Sequence, residues 1–97
     1  MSTTKECRDY VLEQLELVDN LNCRSMMGGY LLYYDGILFG GIYDSRFLIK
    51  IVETNREYNL EEQIPYKGAK LMYLIDTEDK ELIKEIVINT CKSLEKK

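Results

Sequence analysis

The chain contains no histidine. That absence removes the commonest metal ligand, the one side chain whose unperturbed pKa lies near neutrality, and any Ser-His or Cys-His catalytic pair. Most familiar hydrolase chemistry is excluded with it, and an enzyme would have to work with Tyr, Lys or carboxylates as its only acids and bases. Cysteine is scarce as well: Cys7, Cys23 and Cys91 are odd in number, widely separated and without a C-x-x-C pair. Neither a zinc site nor an intramolecular disulfide is expected, so the three read as small buried hydrophobes kept reduced in the cytoplasm. No apolar run approaches the roughly 18–20 residues that span a bilayer, and the N-terminal MSTTKECRDY lacks the apolar core of a secretion signal. Positive charge is not in excess either. Thirteen Lys and Arg stand against seventeen Asp and Glu, a formal net charge of −4. The only segment with a basic surplus, residues 46–70, has five basic against four acidic residues. No stretch can release many counterions, which argues against DNA as a direct ligand.

What is present is the composition of one small globular domain. Ninety-seven residues support one core, read here as a single domain over 1–97. Thr3 and Glu6 have capping-box spacing, and Cys7, Val11, Leu15 and Val18 recur with helical period, predicting a helix over 3–18 with Glu13, Glu16 and Asp19 on its solvated side. Tyr30–Tyr34, Asp35-Gly36 and Ile37–Tyr43 carry the strongest short-range hairpin signal, because Asp-Gly supplies the positive φ of a two-residue turn. Asp44-Ser45 is a weaker turn into Arg46–Ile51, and residues 22–27 add a short strand, completing a four-stranded meander. Residues 53–63 are polar, a short helix or a loop. Leu71–Ile75 has strand length, and Asp76 or Thr77 is placed to cap a final helix reaching about Leu94. The pattern predicts a two-layer α+β domain, an antiparallel sheet of about five strands with helices on one face.

Strict alternation through both turns sorts the side chains into two faces. One carries Leu31, Tyr33, Leu38, Ile42, Phe47, Ile49 and Ile51, the face the helices should cover. The other carries Tyr30, Leu32, Tyr34, Ile37, Phe39, Tyr43 and Leu48, with Arg46 and Lys50 among them. An uncovered face is ordinarily polar, and this one is not. It is either partly covered by residues 53–70, a homodimer or partner interface, or a small-ligand site. In the same register Gly40 faces Leu31 and Gly41 faces Tyr30, which suits a bulge, a tight twist or close backbone packing. Gly28-Gly29 and Gly40-Gly41 lie between or within strands, so no helix N-terminus awaits a phosphate there. Arg24, beside the Met-Met-Gly-Gly step, is the remaining polar residue of interest.

The ordered run Arg24-Ser25-Met26-Met27-Gly28-Gly29-Tyr30, Leu32-Tyr33-Tyr34-Asp35-Gly36, Phe39-Gly40-Gly41-Ile42-Tyr43 and Leu48-Ile49-Lys50 resembles the N-terminal domain of the TfoX/Sxy competence regulators. Met27 stands where that family commonly has Phe. The segment Tyr66–Tyr73 and the apolar final helix are similar too, so the resemblance covers nearly the whole chain. It implies an α+β fold of the secretion-chaperone-like or YgaC/TfoX-N type and an association with competence or transcription regulation. Full-length regulators of the family carry a second, helical domain, and these 97 residues hold none. The resemblance brings no catalytic residue and no cofactor.

The function expected is therefore a non-enzymatic regulatory or adaptor module in the cytoplasm, working through a protein partner or as a homodimer, without nucleic acid or membrane. Its candidate surface is Arg24, Tyr30, Tyr34, Phe39, Tyr43, Arg46 and Lys50. The alternative is a sensor in which Arg24, Lys50 and nearby tyrosines hold a small anionic ligand.

Overall fold

A computed structural model describes residues 4–26 and 28–95. The first helix, α1, is Lys5–Gln14, and its N-cap is Thr4, whose hydroxyl accepts from the Cys7 amide at 3.1 Å. The Thr3 cap expected from the sequence lies outside the described residues. The helix also stops short of Val18: the Leu15 amide is shared between the carbonyls of Val11 and Leu12, and a tight turn follows. The apolar stripe outlasts the helix, since Leu15 and Val18 are still buried beyond its end.

Four strands follow: β1 Leu21–Met26, β2 Gly29–Tyr34, β3 Ile37–Tyr43 and β4 Arg46–Lys50. Both tight turns take the conformation that a right-handed twist favours, with positive φ at Asp35 and Gly36 and again at Asp44 and Ser45. Tyr34 pairs with Ile37 and Tyr43 with Arg46, as expected. A 3-10 helix spans Glu53–Tyr58, β5 is the two-residue Glu62–Gln63, and β6 is Met72–Leu74. The last helix, α2, is Lys80–Glu95. Its cap is Asp79, which accepts from the amides of Glu81 and Leu82 at 3.1 and 3.2 Å, so the helix starts later than Asp76 or Thr77 would have it. The sheet is antiparallel throughout, ordered β1-β2-β3-β4-β6-β5, one strand more than expected because β5 adds a short edge. The architecture is α+β, and among the described residues no helix is long and apolar enough to cross a membrane.

Within β3 the ladder breaks. Leu32 pairs with Gly40 but the next residue, Tyr33, pairs with Leu38, so Phe39 is an extra residue in β3. A bulge of this kind turns two consecutive residues to one side, and the side chain that follows resumes with its phase shifted by one. Phe39 and Ile42 are both fully buried among residues of α1, β4 and α2, including Val11, Phe47, Ile49, Ile83 and Ile86. Each such side chain contributes roughly 1.5–3 kcal/mol by leaving water.

The far end of the core is closed by polar groups. Asn55 is fully buried; its amide nitrogen donates to the Lys50 carbonyl at 2.8 Å and to Thr90 Oγ1 at 2.9 Å, and its oxygen accepts from the Val52 amide at 3.1 Å. Thr90 in turn donates to the Ile86 carbonyl at 2.7 Å. Thr54 donates to the Asn89 carbonyl at 2.6 Å, and Asn89 donates to the Tyr58 hydroxyl at 2.7 Å. These bonds fasten the 3-10 helix to α2, which is why a polar segment with few apolar anchors still holds one place.

Candidate functional site

The pairing rows fix the two faces of the sheet. The rows Leu21-Tyr34-Ile37, Cys23-Leu32-Gly40-Ile49-Tyr73 and Ser25-Tyr30-Ile42-Phe47 face the helices. The rows Asn22-Tyr33-Leu38, Arg24-Leu31-Gly41-Leu48-Leu74, Met26-Gly29-Tyr43-Arg46 and Lys50-Met72-Gln63 face away. Unbroken alternation therefore assigns the first half of the meander to the wrong sides. Tyr30, Tyr34 and Phe39 belong to the helix side: Phe39 is fully buried in the core, and the two tyrosines pack half-buried against it. Tyr30 lies beneath the Arg8 guanidinium, 5.4 Å from the ring centre. Leu31, Tyr33 and Leu38, expected under the helices, instead sit half-buried on the opposite face. Beyond the bulge the expected sides hold, and Tyr43, Arg46 and Lys50 are on the face away from the helices.

Half of that face is roofed. Arg46 donates to the Tyr43 carbonyl at 3.3 Å, to Gln63 Oε1 at 2.8 Å, and to the carbonyls of Ile64 and Pro65 at 3.1 and 3.0 Å. A guanidinium presents its donors in a rigid fork, and here it straps the segment after β5 across the sheet. Pro65 is buried beneath the strap, Leu48 is fully buried, and the Tyr66 ring leans on Tyr43 with centres 6.2 Å apart. The Tyr43 ring itself needs a glycine beneath it: a Cβ on Gly41 would stand 3.0 Å from that ring and against the Tyr30 carbonyl. Gly40 is equally constrained, since its Cβ would meet the Leu48 carbonyl and lie 2.8 Å from Ile49 Cα. Arg46 is thus a scaffold residue, its fork occupied by the chain itself.

Separate depressions lie along this side. The first, about 470 Å³, is bounded by Met26, Gly28, Gly29, Tyr43, Arg46 and the 64–67 segment. The second, about 380 Å³, runs beside Lys50, Tyr66, Lys70 and Met72. The third is about 430 Å³, at Asn22, Arg24, Tyr33 and Gly36. Arg24 and Lys50 therefore do not converge on one cavity; β1 and β4 are three strand spacings apart, roughly 14 Å. What the face presents instead is an apolar strip in its unroofed half, Leu31, Tyr33 and Leu38, with Arg24 at its border. Ile64, Tyr66 and Leu71 add exposed apolar surface on the roofing segment.

One phenol and two thiols are held toward their neutral forms. Burial, and then the phenols of Tyr66 and Tyr33, push the Tyr43 hydroxyl above its ordinary value. Burial likewise raises the Cys23 thiol, against a smaller lowering by Arg8, and pushes Cys91 up to about 11. A reactive thiol needs the opposite shift. Among the described residues, no three Cys, Asp or Glu side chains come together in a way that could hold a metal ion.

The TfoX N-terminal domain family model matches residues 13–84, from the end of α1 through every strand, the bulge and the strap to the first turn of α2. No curated protein matches the chain.

Proposed function

Because the chain belongs to the TfoX N-terminal domain family, we propose that it is a non-enzymatic regulatory or adaptor module that acts through protein contacts on the sheet face turned away from the helices. The observation that carries this reading is the half-buried strip of Leu31, Tyr33 and Leu38, apolar where a face left uncovered by helices is ordinarily polar. Arg24 beside it and Tyr33 within it are the residue types that interface centres favour. The setting is the cytoplasm and the control of competence or transcription, by analogy with the family. A small-anion sensor built on Arg24 and Lys50 has less support, because the two cations border separate depressions.

The test is affinity capture from cells of the source organism, comparing the native chain with the Tyr33→Ser/Leu38→Ser variant. Loss of central interface side chains costs about 1–2 kcal/mol or more, so recovery of a specific partner should fall at least about tenfold. Equal recovery by the variant would remove the strip from the interaction.

A further inference from the structure

The sheet has two unequal edges. The β5 edge is two residues long, too short to template another strand, whereas β1 offers six residues without proline or bulge. Among the described residues, β1 pairs only with β2. On the helix side, α1 leaves the edge open: a depression lined by Arg8, Asp9, Leu12, Cys23, Ser25 and Tyr30 runs beside it.

The outward groups can be identified. The Asp35 amide donates to the Asn20 carbonyl at 2.9 Å, so Asn20, and with it Asn22, Arg24 and Met26, point their backbone groups toward β2. Leu21, Cys23 and Ser25 therefore turn their N–H and C=O groups outward. We propose that two copies of this chain join their sheets by antiparallel pairing of β1 with β1, about a twofold axis at Cys23.

The register follows from the strand's own sequence. A twofold axis normal to the sheet keeps each face on its own side, so paired residues must share a face, and the axis must pass through a residue pair such as Cys23-Cys23 or Arg24-Arg24. Centring on Arg24 sets two guanidinium groups against each other and leaves Leu21 without a partner within Leu21–Met26 of the other copy. Centring on Cys23 pairs Cys23 with its copy and Leu21 with Ser25 of the other chain, which satisfies every outward group of the three residues in both copies. It also sets Asn22 opposite Arg24 on the face away from the helices and separates the like charges. Self-complementarity in this one register selects a second copy over a foreign strand. The inference concerns the edge and does not depend on the face contact proposed above.

The experiment is residue-resolved amide exchange on the intact chain at high and low concentration, with sedimentation of the same samples. In the dimer, the amides of Leu21, Cys23 and Ser25 exchange as slowly as those of Asn22 and Arg24, and dilution to monomer speeds only the first three. Paired Cys23 residues have Cα atoms about 5.5 Å apart, within disulfide reach, so mild oxidation should yield a Cys23–Cys23 crosslink. Ser25→Pro removes an outward N–H while leaving the β2 ladder intact, and it should return the protein to monomer with its fold retained. Alternating fast and slow amides along β1 at every concentration would overturn the proposal even if the proline variant failed to fold. So would a dimer that keeps its mass in Ser25→Pro and forms no Cys23 crosslink. Protection of the outward amides only when another protein is added would assign the edge to a foreign strand, and overturn self-pairing equally.

Discussion

Asn55 closes the seam between β4, the 3-10 helix and α2 with three hydrogen bonds, two of them to buried partners, the Val52 amide and Thr90. Unsatisfied buried groups cost about 1–3 kcal/mol each, so Asn55→Ala should destabilise the domain by at least about 2 kcal/mol in urea unfolding. An exposed asparagine in the same polar run would cost almost nothing. Nothing in Glu53–Tyr58 distinguishes Asn55 from such a residue, because its partners are main-chain atoms and Thr90, thirty-five positions away. Cys91 was easier to place: its position on the apolar stripe of α2 implied burial, and it is 2% exposed. Burial pushes its thiol from 9.0 to about 11, so in the folded chain it stays protonated through a range where the unfolded chain ionises. Its contribution to stability is complete below pH 9 and is lost as the pH rises toward 11. Melting curves across that range should fall more steeply for the native chain than for Cys91→Ala.

The bulge in β3 decides which element faces what. Both turns, all four meander strands and both long helices could be placed from local chemistry, since φ-permissive pairs, alternation and capping residues act within a few positions. The inserted Phe39 has no such local signature. Gly40-Gly41 marked the place where the backbone must come close, but two glycines do not tell a bulge from a twist, and the difference reverses every side chain on one side of it. Unbroken alternation puts Leu31, Tyr33 and Leu38 in the core for that reason, and Tyr30, Tyr34 and Phe39 on the surface. Arg46 was legible as a residue of the far face but not as a strap, because its acceptors are seventeen to nineteen residues downstream. Arg46→Ala should release the 64–67 segment. The expected signs are faster proteolysis after Lys67 and a loss of roughly 1.5–3 kcal/mol, the range for charge-assisted hydrogen bonds. Unchanged cleavage would mean that Pro65 and Tyr66 hold the roof without it.

At the scale of the whole molecule, the acidic charge balance and the apolar sheet face support the proposed contact with protein rather than nucleic acid. With a net charge of −4, the chain should form no salt-sensitive complex with duplex DNA tighter than about 10⁻⁶ M at physiological salt, as measured by fluorescence anisotropy. The bulge separates two neighbouring residues, sending Phe39 to the core and Leu38 to the opposite face, the proposed contact surface. One paired measurement addresses it: thermal melting of Leu38→Ser and Phe39→Ser, alongside capture of the partner recovered by the native chain. Truncating a buried Phe costs about 3–5 kcal/mol, and each kcal/mol lowers the midpoint by roughly 4–8 °C in a domain of this size. Phe39→Ser should therefore melt at least about 12 °C below the native chain. Leu38→Ser should stay within about 8 °C of it, a cost of no more than roughly 1 kcal/mol, and still lose the partner. If the two variants melt together while Leu38→Ser keeps its partner, both side chains are core and the face turned from the helices is not a contact surface.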